Sequence, residues 1–120
     1  MPPRDPNVRL QDIVGAIERI LDYTASHSFS SFAADRKTVD AVVRNLEVLG
    51  EAARHVDAET MRQLPTLPWR DMADLRNLLI HEYFGVSIEI VWATIERDLV
   101  PVRDALRAEL HRRGETGTPD

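Results

Sequence analysis

The nine residues Arg76-Asn77-Leu78-Leu79-Ile80-His81-Glu82-Tyr83-Phe84 put a permanent cation, a carboxamide, an imidazole and a phenol within two turns of helix. Such a set supports cleavage of a phosphodiester without a metal. A histidine near neutral pKa removes a ribose 2′-hydroxyl proton or protonates the leaving oxygen. An arginine fork holds the phosphate and offsets charge that develops in the transition state. Asn77 supports either partner. An internal 2′-hydroxyl nucleophile makes RNA, not DNA, the substrate. On an ideal helix, with Arg76 at zero, Asn77 falls at about 100°, His81 at about 140° and Tyr83 at about −20°. Met72, Leu75, Leu78 and Leu79 fall between about 200° and 320°, so the polar set is expected on a face the core does not use. Arg76 and His81 are ~7.5 Å apart along the axis and well apart around it. They converge either through long side chains on one ligand or by pooling residues across a symmetric dimer. The same residues also fit a plain solvated face or an interhelical hydrogen bond. His81 stands in the last turn, where the helix dipole favours imidazolium.

The elements that must position these residues read as helices throughout. Leu10, Ile13, Val14, Ile17, Ile20 and Leu21 form one apolar stripe over about Asn7 to Ser26. His27 to Ser31 reads as a loop. A second helix is expected from Asp35, a good N-cap, to about His55, with Val39, Val42, Val43, Leu46, Leu49, Ala53 and Val56 inward. Gly50 within it costs up to ~1 kcal/mol against Ala, which a close helix crossing explains. Asp57 caps a short helix through Gln63, and Leu64 to Pro68 interrupts the chain. Pro68 suits the first turn of the helix that carries the polar set, expected from Trp69 to Phe84 with Gly85 as its C-cap. Ser87 caps the last helix, along which Ile88, Val91, Trp92, Ile95, Leu99, Val102, Leu106 and Leu110 form a stripe. Pro101 should kink that helix or split it. The expected architecture is an all-α antiparallel bundle of four main helices plus a short one, as a single domain over 1–113 with a flexible tail over 114–120.

Composition narrows the function. The chain has 120 residues, 15 Lys+Arg against 20 Asp+Glu, a formal charge of −5 and no cysteine. Disulfide scaffolds, thiol nucleophiles and cysteine-ligated zinc are excluded. The acidic balance argues against broad electrostatic binding to nucleic acid, so any contact must be local. No apolar run nears the ~20 residues that span a bilayer, and the first residues lack the apolar core of a signal peptide. A soluble cytoplasmic protein without a membrane partner is the expectation.

Four blocks in order give a more specific reading. Arg76-x-x-x-x-His81-x-Tyr83 resembles the motif of the HepT-like toxin family of the HEPN superfamily. Asn45-Leu46-Glu47-Val48-Leu49-Gly50-Glu51-Ala52-Ala53 resembles a segment of its second helix, Leu67-Pro68-Trp69-Arg70 the lead into its motif helix, and His81 to Val86 with Val91-Trp92 the join of its last helices. The resemblance covers about residues 8 to 110. It implies a HEPN-type bundle, a homodimer with two motifs facing across a cleft, and a metal-independent endoribonuclease with Arg76 and His81 as the catalytic pair. It implies a toxin whose antitoxin is a minimal nucleotidyltransferase that transfers AMP from ATP onto Tyr83. The chain itself needs no cofactor on this reading. The alternative is a non-catalytic helical module that docks a nucleotidyltransferase.

Other constellations read more simply. Glu51 and His55, at i and i+4, fit a surface hydrogen bond better than a metal pair, because helical di-metal sites need Glu-x-x-His on two helices. Glu51 is also a candidate contact of the cleft and of Arg76. His27 and His111 are expected in solvent, and Trp69 and Trp92 in the packing. Arg103, Arg107, Arg112 and Arg113 give the last helix a basic end. That suits the helix dipole better than a phosphate-tracking rim. No glycine-rich phosphate loop is present.

Overall fold

The computed structural model describes residues 5–81 and 87–114, without the side chains of residues 76–81. Its helices are α1 (Pro6–Thr24), α2 (Phe29–Ala34), α3 (Arg36–Arg54), α4 (Ala58–Gln63), α5 (Trp69–His81), α6 (Ile88–Arg97) and α7 (Leu99–Arg112). No strand occurs among the described residues. The all-α bundle expected from the periodicity is what forms.

The core follows the apolar stripes. Leu10, Ile13, Val14, Ile17 and Ile20 of α1 are completely buried, and Val42, Leu46, Leu49 and Ala53 of α3 lie against them. From α7, Leu106 and Leu110 complete this interior. Each such side chain contributes about 1.5–3 kcal/mol by leaving water. α3 is the hub, packing on α1 and α5, while α7 closes on α1 and α6. Gly50 is buried in α3, the helix that runs along α5.

Short polar devices fix the helix ends. The Asp35 carboxylate accepts from the Thr38 backbone N–H at 3.2 Å and from its hydroxyl at 2.8 Å. The Asp57 carboxylate does the same for Thr60, at 3.0 and 2.7 Å. These bonds hold both carboxyls below the usual range, with the threonine hydroxyl as the first cause. Between α1 and α3 the Arg19 Nε donates to buried Asn45 at 2.8 Å, and the Asn45 amide donates to the Ala41 carbonyl at 2.9 Å.

Three expectations are corrected. Residues 29–34 are a helix, not part of a loop, because Ser28 and Ser31 form a reciprocal capping box and Phe32 is fully buried. His27 is therefore drawn in: its Nδ1 is 2.9 Å from the Ser31 hydroxyl and its Nε2 is 3.6 Å from Asp35. Pro68 precedes α5 rather than opening its first turn, and its carbonyl accepts from Met72 at 3.0 Å. The last helix does split, but at Asp98 rather than at the proline. Pro101 lacks an N–H, and its ring collides with the carbonyl four residues back, which belongs to Arg97, the final residue of α6. The expected C-cap Gly85 lies outside the described residues, as do Tyr83 and most of the tail.

The basic end of α7 serves packing. Arg113 donates to Asn7 at 3.0 Å, Thr60 at 3.0 Å, Gln63 at 2.9 Å and Glu109 at 2.7 Å, tying α7 to α1 and α4. Arg107 pairs with Glu18 of α1. These guanidiniums are engaged within the fold, so they do not form an open phosphate rim.

Candidate active site

α5 begins on an anchored end. The buried Trp69 donates its indole N–H to the Leu64 carbonyl at 2.9 Å, and its backbone N–H bonds the Leu67 carbonyl at 2.9 Å. Met72, one turn on, is buried as well. α5 runs antiparallel to α3: Leu49, late in α3, lines a pocket with Met72 and Leu75, early in α5. His81 therefore closes α5 at the end of the pair that holds the start of α3.

The described side chains at the start of α5 set its register. Taking position 76 as zero, buried Trp69 falls at about 20° and buried Met72 at about −40°. Trp69 and Met72 thus mark the packed stripe of the helix. Exposed Arg70 and Asp74 fall at about 120° and 160°, in line with positions 77 and 81 at about 100° and 140°. Arg70 and Asp74 thus mark the open stripe. The expected common polar face of Arg76, Asn77 and His81 rests on side chains outside the described ones. Residues 70, 74, 77 and 81 form an i, i+4, i+7, i+11 series in the sequence. That series is the signal by which Arg70, absent from the sequence-based candidates, could have been found.

Glu51 lies near the other end of the α3–α5 pair from His81. Its carboxylate oxygen Oε1 is 3.0 Å from His55 Nε2 and 3.6 Å from the Arg54 guanidinium. The expected hydrogen bond between Glu51 and His55 is thus present. Glu51 also lines a groove of about 310 Å³ between α1 and α3 with Arg9, Asp12, Arg44 and Glu47. Its expected contact with Arg76 lies outside what the structure describes.

One further feature lies away from the end of α5 that holds His81. A pocket of about 360 Å³ lies between the start of α5 and the α6–α7 joint, lined by Leu67, Met72, Leu75, Leu99 and Val102. Asp71, Arg97 and Asp98 also line it among mainly apolar walls, and it stands at the opposite end of α5 from His81. Among the described residues no three His, Asp or Glu side chains gather closely enough to hold a metal ion. Both tryptophans pack the bundle as expected: Trp92 lies with its ring centre 5.1 Å from that of Phe32 and 6.5 Å from that of Phe29.

Comparison with known proteins bears on the same stretch of chain. The model of the family described as "Ribonuclease HepT-like" matches residues 13–109. A protein of Thermococcus cleftensis named "Probable ribonuclease HepT" is 43% identical over 90 residues, covering 75% of this chain and 82% of that relative. "Putative RNase MJ0127" of Methanocaldococcus jannaschii is 42% identical over 92 residues, 77% of this chain and 76% of its own. No solved structure matches significantly. The matched region runs from the core of α1 through the motif helix to the packed end of α7, and on that footing the chain belongs to the HepT-like ribonuclease family of the HEPN superfamily.

Proposed function

We propose that this protein is the toxin of a toxin–antitoxin pair and an endoribonuclease that needs no metal. The observation that carries the reading is the family match across residues 13–109, which contains the whole Arg76–His81 interval on one helix. The ribose 2′-hydroxyl attacks the adjacent phosphorus as His81 takes its proton. The bond from phosphorus to the 5′-oxygen breaks, and that oxygen takes up a proton. The products are a 2′,3′-cyclic phosphate and a 5′-hydroxyl end. Arg76 offsets the charge that builds on the phosphate oxygens, and Asn77 orients its neighbours. Because positions 76 and 81 lie about 140° apart around the helix, a second copy of α5 completes the site: the arginine of one protomer works with the histidine of the other. A homodimer also supplies one imidazole as base and another as acid.

Silencing follows from Tyr83. A minimal nucleotidyltransferase antitoxin transfers AMP from ATP to its hydroxyl, releasing pyrophosphate. The added phosphate and nucleoside bring negative charge and bulk to the region that must receive RNA.

The test uses purified protein without its antitoxin, in the presence of EDTA. Cleavage that leaves cyclic phosphate ends, and is lost in Arg76→Ala, is the expected result. No cleavage by protein of unmodified mass would contradict it. With the antitoxin and ATP, Tyr83→Phe should gain no mass; an AMP increment on that variant would remove Tyr83 from the account.

A further inference from the structure

Arginines in this acidic chain are mostly tied to carboxylates of the fold. Arg62 bonds Glu59, Arg44 is 3.5 Å from Glu47, and Arg113 and Arg107 are engaged as described. Arg70 is different. It is exposed, and it makes no ion pair or side-chain hydrogen bond with the described residues. A carboxylate stands at the right spacing, since Asp74 is four residues on. The same spacing is closed in α3, where Arg36 and Asp40 meet at 3.2 Å. In α5 it stays open.

The position also runs against the needs of the helix. Arg70 is the second residue of α5, where the dipole presents its positive end and a cation is disfavoured. Asp71 in the first turn meets the dipole, but at i+1 it points to a different side and does not pair with Arg70. A local choice that costs stability and gains no partner marks a group kept for another purpose. Arg70 lies on the open stripe of α5 with Asp74, and the helical register puts positions 77 and 81 on the same line. It is ~16 Å along the axis from His81, a few nucleotides of a strand.

We infer that Arg70 is a phosphate-holding residue: it grips the RNA backbone a few nucleotides from the scissile bond and lays the strand along the open stripe of α5 toward His81. This rests on the ribonuclease reading above. The guanidinium offers a paired fork to a phosphate and reads no base, so its contribution is independent of sequence. It sets affinity and the salt dependence of binding, and it does not take part in the chemistry.

The test measures binding of oligouridylate to the full-length His81→Ala protein, which holds RNA without cutting it, between about 50 and 200 mM salt. Adding Arg70→Gln should weaken binding roughly five- to tenfold and lower the log–log salt slope by about 0.7 for each phosphate it leaves without a cation. Arg70→Lys should restore most of both. Arg62→Gln, which removes a cation already paired on α4, should change neither. In the cleaving protein, Arg70→Gln should raise KM far more than it lowers kcat, with an unchanged or slightly higher Tm. Unaltered affinity and slope in Arg70→Gln, with binding and cleavage otherwise intact, would overturn this inference and leave the ribonuclease reading standing. Equal losses in Arg62→Gln and Arg70→Gln would also overturn it, by reducing the effect to net charge. Failure of the parent to bind or cut RNA would overturn both.

Discussion

α1 and α6 are both amphipathic, yet they are held very differently. α1 buries seven of its 19 residues, five of its large aliphatics completely. α6 buries only Val91 and Ile95 among its ten, and its Ile90 is 64% exposed. α1 is enclosed by α3 and α7, whereas α6 leans on α7 and on little α2. The α1–α3–α7 side is therefore an over-determined scaffold. The motif helix α5 packs on α3, and α6, which follows the motif in the chain, has less packing to hold it. That division suits a site that must admit a long polymer, since segments that open for a ligand come from the less stable end of a fold.

The contrast breaks first in the scaffold. Leu46→Ala, at a position of α3 only 1% exposed within the core, should cost about 2–5 kcal/mol in urea or thermal unfolding. A loss below about 1 kcal/mol would mean that α3 is not the hub. Arg113→Ala should come next, at about 1–3 kcal/mol. It removes the bonds to α1 and α4 and leaves buried Glu109 to Arg112 alone. Cleavage by the folded fraction should persist in this variant. An equal stability with its bonds gone would refute the clasp.

Acid probes the same corner. The Arg112 side chain, bonded at 2.9 Å, and then Arg113 hold the Glu109 carboxyl down to about 2, against an ordinary 4.5. A depressed folded pKa gives stability that is complete above the unfolded value and lost as pH falls through the folded one. The stability profile should therefore decline between about pH 4.5 and 2, and that decline should flatten in Glu109→Gln. Unchanged steepness in that variant would contradict the assignment. The smallest effect belongs to the edge: Ile90→Ser should shift stability by no more than about 0.5 kcal/mol. A larger loss would show that α6 is covered by something in solution.

The scaffold is legible in the sequence because its signals are periodic and local. The stripe from Leu10 to Ile20 and the caps at Asp35, Asp57 and Ser87 each depend on spacings of a few residues, and all form as read. α2 escapes such a reading because six residues are too few to show a stripe, and its stability comes from a capping box and one buried phenylalanine. The break associated with Pro101 falls earlier than the proline itself because the clash acts four residues upstream. The motif helix is legible as a helix from Trp69 to His81, and so is the packing of Trp69; the indole hydrogen bond to Leu64 that anchors its start is not, because no periodicity marks it.

The central claim is that His81, the last residue of α5, performs the chemistry while the scaffold merely holds it. It is tested most directly by comparing wild type with His81→Ala in EDTA, following RNA cleavage and thermal unfolding on the same preparations. The account predicts a loss of at least about 100-fold in the cleavage rate with Tm essentially unchanged. Equal cleavage by the two proteins, at equal Tm, would contradict it.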